Sequence, residues 1–241
     1  MLSKNQIKLI TSLQQKKYRS KHDLFIVEGV KGVNEFLKSE FKLDIIFCTD
    51  TFSHEISSDK VQLVSDNELK KISNLKNPNQ VLALFFIPEG RGLDFNKSTL
   101  VLDGVNDPGN LGTIIRLCDW FGIEQLLCSP TTVDCYNSKV VQSTMGSLKR
   151  VSIEYSELKP FLNTSTLPIY ASIMNGKNIY ENPIEKDAII VMGNEANGIS
   201  QEILDIITDS VTIPRFGKSQ ETESLNVATA TAILLSEFRR N

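Results

Sequence analysis

Residues 99–116 read TLVLDGVNDPGNLGTIIR, and this stretch decides the fold. Thr99–Val105 is rich in aliphatic and β-branched residues, the composition of a strand. Pro108 and Gly109 then turn the chain. A helix is expected from about Asn110, with Asn110 as its N-cap. Along it Ile114, Leu117, Cys118 and Phe121 recur at i, i+3, i+4 and i+7, one apolar stripe. A buried strand running straight into a helix is the repeating unit of a parallel sheet.

The pattern recurs downstream. Strands are expected at Gln125–Cys128, Val151–Glu154, Pro168–Ile173, Ala188–Met192 and Ser210–Ile213, with helical stretches between most of them. One helix should run from Gln201 to Ile207, capped by Ser200, and the last from about Leu225 to Arg240. The expected fold is α/β, with a C-terminal, mostly parallel sheet and helices on both faces. Ligands of such sheets bind beyond the carboxyl ends of the strands. Upstream, strands at Leu24–Glu28, Ile45–Cys48, Val61–Val64 and Val81–Ile87 alternate with helices at Val30–Lys38 and Asn67–Ser73. That is a small N-terminal α/β domain. The run PEGRGLD at 88–94 breaks the pattern. It divides the chain into 1–90, a linker at 91–98, and 99–241.

The chain has 241 residues, 41% hydrophobic and 23% charged, as in ordinary globular domains. The longest strongly apolar run, Val81–Ile87, is far short of the ~20 residues of a membrane span. The N-terminus lacks a signal peptide's apolar run. Cys48, Cys118, Cys128 and Cys135 form no CxxC pair, as expected of structural thiols in a cytoplasmic protein. His22 and His54 have no metal-ligand spacing, so neither a zinc site nor a Ser-His-Asp hydrolase is expected.

Charge is uneven. Residues 1–98 carry 15 basic and 12 acidic side chains, hence +3, and 99–241 carry 11 and 17, hence −6. Lys4, Lys8, Lys16, Lys17, Arg19 and Lys21 precede the first acid. That segment is either a contact to a phosphate backbone or a solvated helix face.

Three loops bear the candidate chemistry. The first holds Asn106–Gly112. On its helix Arg116 lies off the apolar stripe, with Gly112 and Thr113 beside it. Alone, Arg116 reads as a phosphate or ribose binder, or as a surface arginine paired with Asp119. The second, GNEANG at 193–198, follows a buried strand. Gly193 would let a ligand approach the backbone, and Glu195 would accept amides of the turn; alone, the segment also reads as a structural turn. The third is IPRFG at 213–217 followed by SLNVA at 224–228. Ser224 and Asn226 do not share a helix face, so at least one of them sits in the loop or cap; alone, the segment also reads as a simple N-cap. The glycines at 104, 109 and 112 are spaced five and three, not the two and three of a dinucleotide fingerprint. A nicotinamide oxidoreductase is therefore disfavoured.

Together these segments resemble the SpoU (TrmH-type) ribose 2′-O-methyltransferases of the SPOUT class. The match is Asn106–Gly112 with Arg116, then Met192–Glu195 with Asn197 and Gly198, then Ile213–Pro214 with Ser224–Ala228. Ser143–Ser147 is a weaker fourth. Arg19 and Phe25–Gly29 resemble the family's substrate-binding domain. Between Pro214 and Ser224 this chain is a few residues longer than is usual in the family.

The resemblance implies S-adenosylmethionine as methyl donor, bound in a deep trefoil knot. Met192, Gly193, Ile213 and Leu225 would contact it, largely through backbone. Asn110, Arg116, Glu195, Ser224 and Asn226 would form the catalytic, acceptor side. Lys16, Lys17, Arg19 and Lys21 would help grip RNA. A homodimer with the site at its interface follows by the same likeness, as does ribosomal RNA, 23S and a guanosine, ahead of transfer RNA. DNA lacks the 2′-hydroxyl acceptor. The alternatives are a tRNA methyltransferase and a non-catalytic RNA-binding relative; the presence of Asn110, Arg116, Ser224 and Asn226 weighs against the latter.

Overall fold

The computed structural model describes residues 1–49, 52, 58–90, 92–219 and 224–240. His54, Arg91 and residues 220–223 of the long loop lie outside that set. The first half of the chain forms α1 (Lys4–Ser12), α2 (Lys16–His22), β1 (Leu24–Glu28), α3 (Val30–Leu37), β2 (Leu43–Cys48), β3 (Val61–Leu63), α4 (Asp66–Ile72) and β4 (Val81–Phe86). Then come β5 (Thr99–Asp103), α5 (Pro108–Phe121), β6 (Gln125–Cys128), α6 (Ser138–Thr144), β7 (Ser152–Tyr155), α7 (Leu158–Thr164) and β8 (Ile169–Asn178). The chain ends with β9 (Ile189–Gly193), α8 (Gln201–Leu204), β10 (Asp209–Thr212) and α9 (Val227–Arg240).

Two compact units result. One comprises Met1–Glu89 with Asp134–Lys149, the other Gly90–Val133 with Arg150–Asn241. In the first, β1-β4-β2-β3 form a mixed sheet whose only parallel pair is β2 with β3. Alternation sends Leu24, Ile26, Leu82 and Leu84 to one face, where they pack with Ile10, Leu13 and Leu69. Phe25 and Phe85 take the other face and meet Phe36, Phe25 meeting Phe41 and Tyr136 as well. Reciprocal capping boxes start α1 at Ser3–Gln6 and α4 at Ser65–Glu68. Glu68 also accepts from the Leu2 amide at 2.7 Å. These backbone bonds hold its carboxyl below the usual range.

Segment Asp134–Lys149, assigned to the second domain by sequence, packs within the first unit. Arg19 explains why. It is 2% exposed, so it is no RNA contact, contrary to the sequence expectation. Its guanidinium donates to Asp134 Oδ2, from Nε at 2.9 Å, and to the carbonyls of Leu13 and Gln14 at 2.8 and 2.9 Å. Lys149 pairs with Glu35 at 2.9 Å. The Ser143–Ser147 motif therefore falls in this unit, with Met145 in the left-handed region at φ 49°.

The second unit is a six-stranded parallel sheet in the order β10-β8-β9-β5-β6-β7. On one face Val101, Ile189 and Val191 pack with Leu158, Phe161 and Leu162 of α7 and Ile203 of α8. Alternation turns Leu100, Leu102, Ile190 and Met192 to the other face, where α5 and α9 pack on each other. The expected linker is pinned to this unit. Gly92 N–H donates to Glu154 at 3.0 Å and Asp94 N–H to Gln125 at 2.6 Å, and Phe95 stacks on Phe161. From β5 the chain proceeds to β6 on one side, whereas its other neighbour is β9. The sheet thus switches direction between β5 and β9, the place where open α/β sheets hold ligands.

All four cysteines are buried. Burial raises the Cys118 thiol well above its ordinary value.

Candidate functional site

The ends of β5 and β9 lie side by side, with Asp103 in register with Gly193. Each strand hands over to a loop, and the two loops are hydrogen-bonded to each other. Gly104 adopts φ +77°, donates to Ser129 Oγ at 2.9 Å, and accepts from Asn194 Nδ2 at 2.6 Å. Asp103 Oδ2 accepts from the Ser200 amide at 2.7 Å. Ser200 occupies the N-cap position of α8, but its side chain makes no capping bond.

The 193–198 loop closes on itself. Asn194 and Gly198 exchange backbone bonds of 2.9 Å in both directions. Asn194 Oδ1 accepts from the amides of Ala196 and Asn197 at 2.9 and 3.0 Å. The role of amide acceptor, expected of Glu195, thus belongs to Asn194. Gly193 also has a different reason than expected. A Cβ there would lie 2.3 Å from the Gly198 carbonyl carbon and 2.5 Å from the Ile199 nitrogen, so it is the loop's own backbone that comes close.

The N-cap of α5 is Asp107, not Asn110. Asp107 Oδ1 accepts from the Asn110 amide at 2.8 Å, and Pro108 fills the first helical position. Asn110 therefore has its side chain free for longer-range contacts. Its Nδ2 donates to Glu195 Oε1 at 2.8 Å, and its Oδ1 accepts from Asn226 Nδ2 at 2.9 Å. Asn226 Oδ1 in turn accepts from Ala228 N–H at 3.0 Å and Thr229 N–H at 3.2 Å, capping α9. One hydrogen-bond chain thus joins Glu195 of the 193–198 loop, Asn110 in the first turn of α5 and Asn226 at the start of α9. Ser224 precedes the cap, exposed in the loop.

Arg116 is exposed on α5 with Thr113, while Ile114, Ile115 and Cys118 are buried. Gly112, expected beside it, is buried. Asp119 is held by Arg150, from Nε at 2.9 and 2.8 Å and Nη2 at 2.7 Å. Among the described residues Arg116 has neither a hydrogen-bond nor an ion-pair partner. It lies six residues beyond Asn110, about 240° round the helix at ~100° per residue, and is not tied to the Asn110 chain. Four residues further, on the same side, Trp120 is 84% exposed.

Ile213, just past β10, is half-buried, and Leu225 is exposed. Among the described residues the backbone amides of both lack a hydrogen-bond partner. Met192 is buried at the end of β9. Apolar side chains next to open backbone groups are a donor set that suits an adenosine, whose ring takes apolar packing and whose edge takes backbone bonds. The residues present therefore fit S-adenosylmethionine. Asp103, Asp107, Ser129 and Asn194 were not predicted; their work is to fix loops, and only Asp107, an acid before a proline, carried a local signal.

Residues 97–236 match the SpoU rRNA Methylase family, and residues 4–83 an MRM3-like substrate binding domain. The chain is 30% identical to the 23S rRNA (guanosine(2553)-2′-O)-methyltransferase RlmP of Bacillus subtilis, over 98% of this chain and 97% of that protein. A TrmH-family protein from Porphyromonas gingivalis superposes with a TM-score of 0.91 at 39% identity, covering 100% and 99% of the two chains. An AdoMet-bound rRNA methyltransferase from Sinorhizobium meliloti does so with a TM-score of 0.84 at 27% identity, covering 100% and 96%. Loops joined at the switch point of a six-stranded parallel sheet, on a sequence matched over both units, lead to one assignment: this chain belongs to the SpoU rRNA methylase family.

Proposed function

We propose that this protein transfers a methyl group from S-adenosylmethionine to the 2′-hydroxyl of a ribose in RNA, ribosomal RNA ahead of transfer RNA. The observation that carries the reading is the Glu195–Asn110–Asn226 chain at the carboxyl edge of β5 and β9, in a chain related to RlmP along nearly its whole length. The bound donor supplies an electrophilic methyl on sulfur. Ile213 and Leu225 hold its adenosine through backbone groups and apolar contact, with Met192 and Gly193 forming the floor of the site.

On the acceptor side a neutral hydroxyl must lose its proton as it attacks. The hydroxyl proton passes to solvent water, and Arg116 is assigned the role of a hydrogen-bond donor. It grips the target phosphate through paired N–H donors and stabilises the developing alkoxide. Ser224 and Asn226 orient the ribose. Asn110 and Glu195 hold Asn226 in place, and such positioning supplies up to ~7–11 kcal/mol of a barrier. Arg116 and Asn110 leave α5 on different sides, which supports a homodimeric enzyme whose sites draw on two copies. Family membership supports a deep trefoil knot, and the rRNA substrate a cytoplasmic location. No metal enters the proposed reaction.

Labelled donor incubated with the protein and deproteinised 23S rRNA should label the RNA at ribose. Absence of both transfer and donor binding by calorimetry would sink the proposal.

RNA grip on the first unit is assigned to Lys16, Lys17 and Lys21, all exposed on α2. Deleting residues 1–22 does not test this, because Ile10 and Leu13 are core and Arg19 is buried. Changing the three lysines to glutamate should weaken RNA binding and flatten its log–log salt slope by up to about 2, from ~0.7 per phosphate contact. Donor affinity should hold. An unchanged slope removes α2 from the RNA interface.

A further inference from the structure

Phe216, three residues past Ile213, is 83% exposed. Its ring lies 6.3 Å from that of Tyr180, tilted by 31°. Tyr180 and Met174 are also exposed, and Arg215 Nη2 reaches Met174 Sδ at 3.9 Å. Scattered exposed apolar side chains are ordinary, but a linked group of them marks a binding surface. The backbone beneath is firmly held. Ile179 N–H donates to the Thr212 carbonyl at 3.0 Å, Thr212 Oγ1 to the Met174 carbonyl at 3.1 Å, and Tyr180 N–H to Asn178 Oδ1 at 3.1 Å. Gly176 runs so close to β10 that a Cβ would sit 2.5 Å from the Val211 carbonyl carbon.

Charge identifies the occupant. Residues 99–241 carry a net −6, yet Arg215 and Lys218 flank Phe216 and Lys177 lies near Tyr180 in sequence, with Glu181 the acid beside it. Lys177 is paired with Asp209. Aromatic faces interleaved with cations suit an unpaired nucleotide, whose base stacks while its phosphate meets the cation.

We infer that Phe216, backed by Tyr180, is a stacking platform for an unpaired base of the substrate RNA next to the methylated ribose. This deepens the methyltransferase reading and rests on it. Full-length wild type, Phe216→Ala and Phe216→Tyr should be compared on 23S rRNA. Phe216→Ala should raise KM for RNA about 10- to 100-fold, the range for loss of one stacked base. Its kcat and donor affinity should stay within about twofold, and Phe216→Tyr should restore KM. An unchanged KM overturns the inference. So does a change of oligomeric state with unchanged KM, which would assign the patch to a second copy of the chain. If the wild type transfers no methyl group, the underlying reading fails. Anisotropy of a labelled single-stranded RNA oligonucleotide then decides the platform alone: weaker binding by Phe216→Ala supports it, and equal binding overturns it.

Discussion

Arg116→Ala is expected to lower turnover at least about 100-fold, the low end for removing one key transition-state donor. Thermal stability should hardly move. The side chain is exposed and has no partner among the described residues, so its removal opens no cavity and strands no buried group there. Asp119, the carboxylate nearest in sequence, keeps its bonds to Arg150. Arg116→Lys should recover little, because an ammonium does not offer the paired donors of a guanidinium. Near-normal turnover in the alanine variant, measured with saturating donor, would exclude Arg116 from the chemistry.

Arg19→Met should produce the largest loss of stability, about 3–5 kcal/mol, the cost of breaking a buried ion pair from one side. The substitution keeps the apolar stem. It strands the Asp134 carboxylate, whose side chain is 13% exposed, and removes the donors to Leu13 and Gln14. Adding Asp134→Leu should recover much of the deficit, since the stranded charge goes too. Urea denaturation of the three proteins tests this. A single-variant loss under about 1 kcal/mol would show that the pair behaves as a surface contact.

The strands were legible because apolar runs bounded by turn residues are a local property. All ten lie close to where sequence placed them, and the parallel order of the second unit follows from strand–helix alternation. What sequence missed depended on distance or on competition. β8 runs on to Asn178, past the expected Ile173, because β10 pairs with its second half after a register shift. Asn110 and Asp107 are both good cap residues. The proline after Asp107 decides between them, and the rule that proline favours the first helical position was available. Arg19 sat among exposed lysines, and its partner lies 115 positions away. No local pattern could have shown its burial.

At the site, the three loops were legible as strand ends carrying Gly, Asn and Ser. The division of labour between Asn194 and Glu195 was not. Adjacent polar residues in a tight turn differ only in which way each side chain points, and the two-way backbone pairing of Asn194 with Gly198 sets that.

Trp120 is the only tryptophan in the chain. It stands one helical turn beyond Arg116, open to solvent, on a helix otherwise anchored in the core. The molecule therefore carries a built-in fluorophore beside its proposed catalytic arginine. Whatever covers that side of α5, a nucleotide strand or a second copy of the chain, will dehydrate the indole and shift its emission to the blue without any label.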